Sequence, residues 1–259
     1  MIVPPTADVT GRWAPLARRT PVSKIVALAL FTTAALFTRD LAALTFSLAV
    51  TLLAAPLFGI TPWGLLRRGW PALFAAATVV LSLTLFAADR SGTVLLHFGP
   101  FLVTTTVLAN ALTLALRLLA IALPSILVFS TTDPTDLADS LIQHARVPAR
   151  FAIGALAAFR LVGLLGEEWR TITTARRARG LDAGGNPVRW ARLFAGTAFG
   201  LLVGAIRRGT RLAVAMDARG FDAGVPRGLA RPMPWHPADW LLILTALALA
   251  LTTQLLAHH

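Results

Sequence analysis

The sequence contains no cysteine. Disulfides, thiolate metal sites and cysteine nucleophiles are therefore excluded. Charge is also scarce: 14% of the 259 residues are Asp, Glu, Lys or Arg, where an ordinary soluble domain has about 25%. No Gly-x-x-x-x-Gly-Lys-Ser/Thr loop occurs, so this chain has no P-loop of its own to cradle a nucleotide. The five histidines, His97, His144, His236, His258 and His259, form no His-x-x-x-His or Glu-containing zinc pattern. The first 20 residues carry Pro4, Pro5, Asp8, Trp13 and Pro15, without an apolar core or a small-residue cleavage site. The expectation is that the first span acts as its own insertion signal.

What the chain has instead is apolar sequence, at 56% of positions, with mean hydropathy +0.70. It lies in long blocks. A membrane span needs about 20 mostly apolar residues. Five segments qualify: Val22 to Thr38, Leu41 to Ile60, Pro71 to Ala88, Val103 to Ser130, and Trp240 to Ala257. Two shorter runs, Phe151 to Leu165 and Leu193 to Ile206, read as buried or interfacial helices, with two extra short spans as the alternative. The fold class expected is all-α: a polytopic membrane protein with about five spans and long cytoplasmic helices.

The net charge is +12. In a soluble protein that would suggest nucleic acid. Here the cations sit in alternate loops, as the positive-inside rule requires, and nucleic acid is not the expected partner. The N-terminal segment has Arg12, Arg18, Arg19 and Lys24, and the stretch from Thr131 to Pro237 has 15 arginines. The loops after the first and third spans have only Arg39 and Arg90. This count places the N-terminus and the long stretch inside. The organisation expected is a cytoplasmic segment 1–21, a four-span bundle 22–130, a cytoplasmic or interfacial helical module 131–237, and a last span 238–259. Trp63, Trp70, Trp190, Trp235 and Trp240 lie near proposed helix ends, where indole suits the membrane interface.

Within the module the helix signals are clear. Asp133-Pro134-Thr135-Asp136 reads as a helix start, with Asp133 as N-cap and Pro134 in the first turn. That helix runs to about His144. Pro148 opens a long helix through Arg179 that Gly180 stops, and Pro187 opens another through Arg219 that Gly220 stops.

These two stops are copies. Ala178-Arg179-Gly180-Leu181-Asp182-Ala183-Gly184 recurs as Ala218-Arg219-Gly220-Phe221-Asp222-Ala223-Gly224, at an offset of 40 residues with six of seven positions identical. A lone Arg-Gly would be an ordinary C-cap. Two copies with the flanking Asp-Ala-Gly retained point to a shared contact, made by one guanidinium on each helix end. Arginine suits such a contact because its planar fork binds carboxylates in a fixed geometry.

These motifs, the second within Ala215-Met216-Asp217-Ala218-Arg219-Gly220-Phe221, resemble the transmembrane T component of energy-coupling factor (ECF) transporters, the EcfT/CbiQ family. Leu116-Arg117-Leu118-Leu119-Ala120 and Thr131-Thr132-Asp133-Pro134-Thr135-Asp136-Leu137 look like that family's fourth span and its exit. The resemblance implies a subunit of the bacterial plasma membrane that joins two cytoplasmic ATP-binding-cassette ATPases to a membrane-embedded, substrate-binding S component. It implies docking of Arg179 and Arg219 on the ATPases, within Ala178-Arg179-Gly180 and Ala218-Arg219-Gly220, supported by Asp182, Asp217 and Asp222. It also implies that the chain binds no cofactor, with ATP and magnesium held by the partners. The cargo would be a vitamin such as biotin, riboflavin or folate, or a cobalt or nickel ion. Gly154, Ala155, Ala157 and Ala158, with Gly196, Gly200 and Gly204, would let two helices cross closely.

Other readings are weaker. Asp133, Asp136 and Asp139 would suit a magnesium-diphosphate site in a membrane prenyltransferase, but no second aspartate-rich motif faces them. Glu167-Glu168, near Arg160 and Arg170, reads as a salt-bridged helix face. A stand-alone secondary transporter should carry acidic residues in several spans or broken helices in two halves. Only Arg117 is charged deep in a span. It has three open readings: a polar contact in the bundle, a contact with the S component, or a reach to water.

Overall fold

The computed structural model describes residues 14–86, 93–98, 101–221, 228 and 231–257. It divides into two compact units, one of Met1–Ser140 with Met233–His259 and one of Leu141–Pro232.

The first unit is a helical bundle. Helix α1 (Pro21–Phe37) has proline in its first turn and ends at Thr38, whose extended backbone breaks the helix. Asp40 caps α2 (Leu41–Ala54) by accepting from the Ala43 N–H at 3.0 Å. Pro56 has no N–H to give, and the chain tightens into a 3-10 turn, Ala55–Phe58, which Gly59 stops at φ +79°. Helices α3 (Pro62–Arg68) and α4 (Trp70–Phe86) meet at a 67° bend around Gly69. A Cβ on Gly69 would come within 2.6 Å of Leu123 Cδ2, so glycine lets this corner approach its neighbour closely.

One feature lies outside the sequence expectation. Strands β1 (Val94–Phe98) and β2 (Phe101–Thr104) form an antiparallel hairpin before α5. The apolar run there is split by Gly99-Pro100, a turn signal that was legible. The fold is otherwise all-α. Helix α5 (Thr105–Ser130) carries Pro124 inside it, and α6 (Pro134–His144) follows. Asp133 accepts from the Thr135 N–H at 2.7 Å, which makes it the cap expected from sequence and occupies that carboxylate oxygen. Helix α9 (Pro237–Ala257) packs along α1, α4 lies along α5, and α2 touches both α5 and α9.

Two knots of buried side chains hold the bundle. Ala35, Leu44 and Ala120 are small or slim enough for α1, α2 and α5 to approach closely. Phe58, Leu65, Leu123 and Leu127 pack where the 3-10 turn and α3 meet α5. Yet Leu53 is 77% exposed, Phe86 75% and Phe74 68%. Outward faces of that size are stable when the surrounding solvent is lipid. By length and composition four helical segments among the described residues can cross a membrane: Leu41–Phe58, Thr105–Ser130, Ala149–Ala178 and Pro237–Ala257. The bent pair α3–α4 makes five, and α1, at 17 residues, falls just short. The protein is a multi-pass membrane protein. The number of spans agrees with the sequence reading, while the membership differs: the helix that begins at Ala149 is long and apolar enough to cross, and α1 is too short.

The second unit is a pair of long helices, α7 (Ala149–Ala178) and α8 (Pro187–Ala218). Asn186 caps α8 by accepting from the N–H groups of Val188 and Arg189 at 2.9 and 3.2 Å.

Candidate functional site

Over the described residues the two repeat copies fold alike. At the end of α7, Gly180 lies at φ +74°; at the end of α8, Gly220 lies at φ +66°. The Leu181 N–H donates to the Arg176 carbonyl at 3.0 Å and the Gly180 N–H to the Arg177 carbonyl at 2.9 Å. In the second copy the Phe221 N–H donates to Met216 at 3.0 Å and the Gly220 N–H to Asp217 at 2.9 Å. This is the Schellman pattern, in which a left-handed residue closes the last turn and satisfies the terminal carbonyls. It explains the glycines. It also explains the Leu181/Phe221 exchange, because that position of the motif calls for an apolar side chain of either kind.

The pattern does not explain the arginines. Arg179 and Arg219 supply only backbone to it, at φ −90° in both copies, and both residues are exposed. A cation at a helix C-terminus complements the dipole by only about 0.3–1 kcal/mol. The side-chain identity is therefore available for another purpose. Ala178 and Ala218 keep the last turn slim beside each guanidinium.

The copies differ around that shared core. Arg176-Arg177 precedes the first arginine and Met216-Asp217 the second. Asp217 is exposed in the last turn of α8, where a negative charge opposes the dipole. Asp182 is exposed beyond the first tip and accepts from the Ala183 N–H at 2.7 Å. Asp222 lies outside the described residues.

The helices place the tips far apart. Helices α7 and α8 run antiparallel from the turn that joins them. Arg179 stands near the start of α8 and Arg219 at its end, and the 32 residues of α8 span about 48 Å. The contact between the helices is made by specific side chains. Arg176 Nη1 donates to the Leu193 carbonyl and to Thr197 Oγ1, both at 2.8 Å. Trp169 tilts against Phe194 at 5.1 Å, and Phe194 stacks on Trp190 at 5.3 Å. Arg208 pairs with Glu168 at 2.6 Å.

The glycine stripe does less than the sequence suggested. A Cβ at Gly196 would meet the Arg176 guanidinium at 3.5 Å, and one at Gly204 would meet its own neighbour Arg208 at 3.4 Å. At Gly154 and Gly200 nothing lies within 4 Å. These two face open space, so neither is needed to bring α7 and α8 together.

Arg117 has a definite place in the bundle. Its Nη2 donates to the Thr38 carbonyl at 2.7 Å, at the C-terminal end of α1, while its Nε is buried without a partner among the described residues. Of the readings open from sequence, the intramembrane contact is the one made here.

Sequence reasoning missed a second polar centre. Lys24 is 2% exposed, and its Nζ donates to the carbonyls of Ala17 at 2.6 Å and Thr131 at 3.1 Å. Asp239 is fully buried and accepts from the Thr20 N–H, Ser23 Oγ and the His236 N–H at 3.1, 3.0 and 2.9 Å. Lys24 had counted only as one more N-terminal cation. The signal for Asp239 was an acidic residue two positions after Pro237 at a helix start, a plain capping cue.

The geometry defines a class: a polytopic helical membrane protein bearing two equivalent arginine-tipped helix ends. Comparison with known proteins gives the family. The model of the family CbiQ, described as cobalt transport protein, matches residues 14–228. An energy-coupling factor transporter transmembrane protein EcfT of Lacticaseibacillus paracasei is 34% identical over 195 residues, 70% of this chain and 72% of that protein. The protein of that name from Streptococcus equi is 27% identical over 257 residues, 94% of each chain. The one from Leuconostoc gelidum is 33% identical over 178 residues, and the match spans 64% of its length. The chain belongs to the EcfT/CbiQ family.

Proposed function

We propose that this chain is the transmembrane coupling subunit of an ECF-type importer. Arg179 and Arg219 dock on two cytoplasmic ATP-binding-cassette ATPases, and closure of the ATPases around ATP and magnesium moves α7 and α8. The apolar first halves of these helices pass that motion to a membrane-embedded S component, which selects a vitamin or a transition-metal ion. The subunit itself is non-catalytic and holds no cofactor. It lies in the bacterial plasma membrane with its N-terminus in the cytoplasm.

The observation that supports this reading most is the doubled Schellman stop. The same backbone device is built at the ends of two long helices, and each time it presents an exposed arginine that the device does not need. Asp182 and Asp217 add charged groups beside the tips, and these, with Asp222, join the arginines in the ATPase contact. The family match and the names of the relatives point the same way.

The test is a gentle extraction from the native membrane followed by identification of the co-purifying proteins. Two ATP-binding-cassette ATPases, or one as a pair, with a small hydrophobic partner are expected. In the variant carrying both Arg179→Ala and Arg219→Ala the ATPases should be lost while the chain still inserts and folds. Recovery of the chain alone, monodisperse, or retention of the ATPases by the double variant, would sink the reading.

A further inference from the structure

An apolar groove of about 600 Å³ opens on the first unit, walled by Phe31 of α1, Leu53 of α2, Leu127 of α5, and Leu241 and Leu249 of α9. Its hydroxyls are already committed. Thr51 donates to the Ser47 carbonyl and Thr245 to the Leu242 carbonyl, each at 2.9 Å. The wall therefore offers a ligand contact surface and no directional bonds, which suits a hydrocarbon chain.

The charge is confined to one end. Among the described residues that line the groove, Arg19 and Lys24 are the cations and none is a carboxylate. Lys24 is occupied by two carbonyls. Arg19 is half-buried, and its Nε donates to the Pro15 carbonyl at 3.1 Å. That contact uses one of five guanidinium donors and fixes the group at the mouth of the groove. Arg18, exposed beside it, adds a second positive charge.

The length carries the argument further. Along α9 the groove runs from Ala238 to Leu249, a rise of about 17 Å. Half of a bilayer's hydrocarbon core is about 15 Å. The groove thus has the depth of one leaflet, with cations at the level of the headgroups. Basic pockets between membrane helices are where anionic headgroups bind.

We propose that this groove is a binding site for one anionic phospholipid, with an acyl chain lying along α9 and the phosphate on Arg19. A zwitterionic lipid would find the same apolar wall but, among the described residues lining it, no carboxylate for its ammonium group. The lipid completes the face between α1, α2 and α9 and is a resident of the fold, separate from the arginine tips.

The test uses the full chain in nanodiscs of phosphatidylcholine doped with phosphatidylglycerol, with retained lipid counted by native mass spectrometry after release. One phosphatidylglycerol per chain is expected in preference to phosphatidylcholine. Arg19→Gln should lower its retention at least about tenfold, the worth of a charge-assisted hydrogen bond. Arg19→Lys should keep most of it. Ala54→Trp, which fills the groove, should expel lipid whatever its headgroup, with helix content unchanged by circular dichroism. Equal retention of the two lipids, no retention, or an unaltered count in Arg19→Gln would each overturn the site. A photo-crosslinker at Leu53 in native membranes should trap lipid; capture of a protein there would also overturn it.

Discussion

Glu168 of α7 and Arg208 of α8 stand 40 residues apart, the same offset that separates the two arginine motifs, and they bond to each other at 2.6 Å. Equivalent points on the two repeat helices are thus joined by opposite charges. The sequence had placed Glu168 in a face shared with Arg160 and Arg170 on its own helix. The partner came instead from the neighbouring helix, because the antiparallel turn brings residue 208 back to residue 168.

Both side chains are more than a third exposed, at 37% and 38%. A pair in that setting is worth about 0.2–1 kcal/mol. Glu168→Gln should therefore lower thermal stability in detergent only slightly. The charge-exchanged double variant, Glu168→Arg with Arg208→Glu, should restore it. A large loss on Glu168→Gln, left unrepaired by the exchange, would mean that the carboxylate serves something other than Arg208.

The cap and the contact separate cleanly by substitution. Gly180 has open space around its missing Cβ, so Gly180→Ala meets no clash and costs only the left-handed backbone, about 1–2 kcal/mol. It should fray the last turn of α7 and speed hydrogen exchange at the Gly180 and Leu181 amides. Arg179→Ala should leave that exchange unchanged and instead weaken ATPase recovery in the pull-down. If Arg179→Ala frays the tip as Gly180→Ala does, the arginine is part of the stop after all.

Lys24 and Asp239 should matter for folding more than their places in the sequence suggest. Asp239→Ala would leave the buried Thr20 N–H without its acceptor and free the part-buried His236 N–H. A buried donor left unpaired, as at Thr20, costs about 1–3 kcal/mol. Lys24→Met would remove the donor from the part-buried carbonyls of Ala17, before α1, and Thr131, at the end of α5. Both variants should lower the melting temperature markedly and reduce the yield of monodisperse protein. Asp239→Asn, which keeps an oxygen, should fall between. Normal melting of Asp239→Ala would mean that water replaces the carboxylate and that the junction is wet.

The helices of the second unit were legible almost to the residue. Pro148 stands just before α7 and Pro187 opens α8, Gly180 and Gly220 close them, and such signals act within one turn of the chain. The bundle was legible in its spans for a similar reason, since a run of apolar residues needs no partner to declare itself. What could not be read was everything set by a neighbour far along the chain. Lys24 finds Thr131 across 107 residues, and Asp239 finds Thr20 across 219. The 67° bend at Gly69 likewise sits where a Cβ would meet Leu123 of α5, which periodicity does not encode. The arginine tips fell between these cases. Their backbone was local and plain, but their purpose rested on seeing the same seven residues twice.

Arg117 offers the last test, because its two remaining donors of meaning now differ in outcome. It donates to Thr38, whose carbonyl lies past the last turn of α1 and is fully buried with its residue. An unpaired carbonyl inside a membrane is costly. Arg117→Leu should thus destabilise the bundle by about 1–3 kcal/mol, seen as a lower melting temperature of the purified chain without any partner. Arg117→Lys keeps a cation but loses the planar fork, and should recover only part of the loss. If Arg117→Leu melts normally alone but no longer retains the small hydrophobic partner, the guanidinium works at that interface and Thr38 is an incidental neighbour.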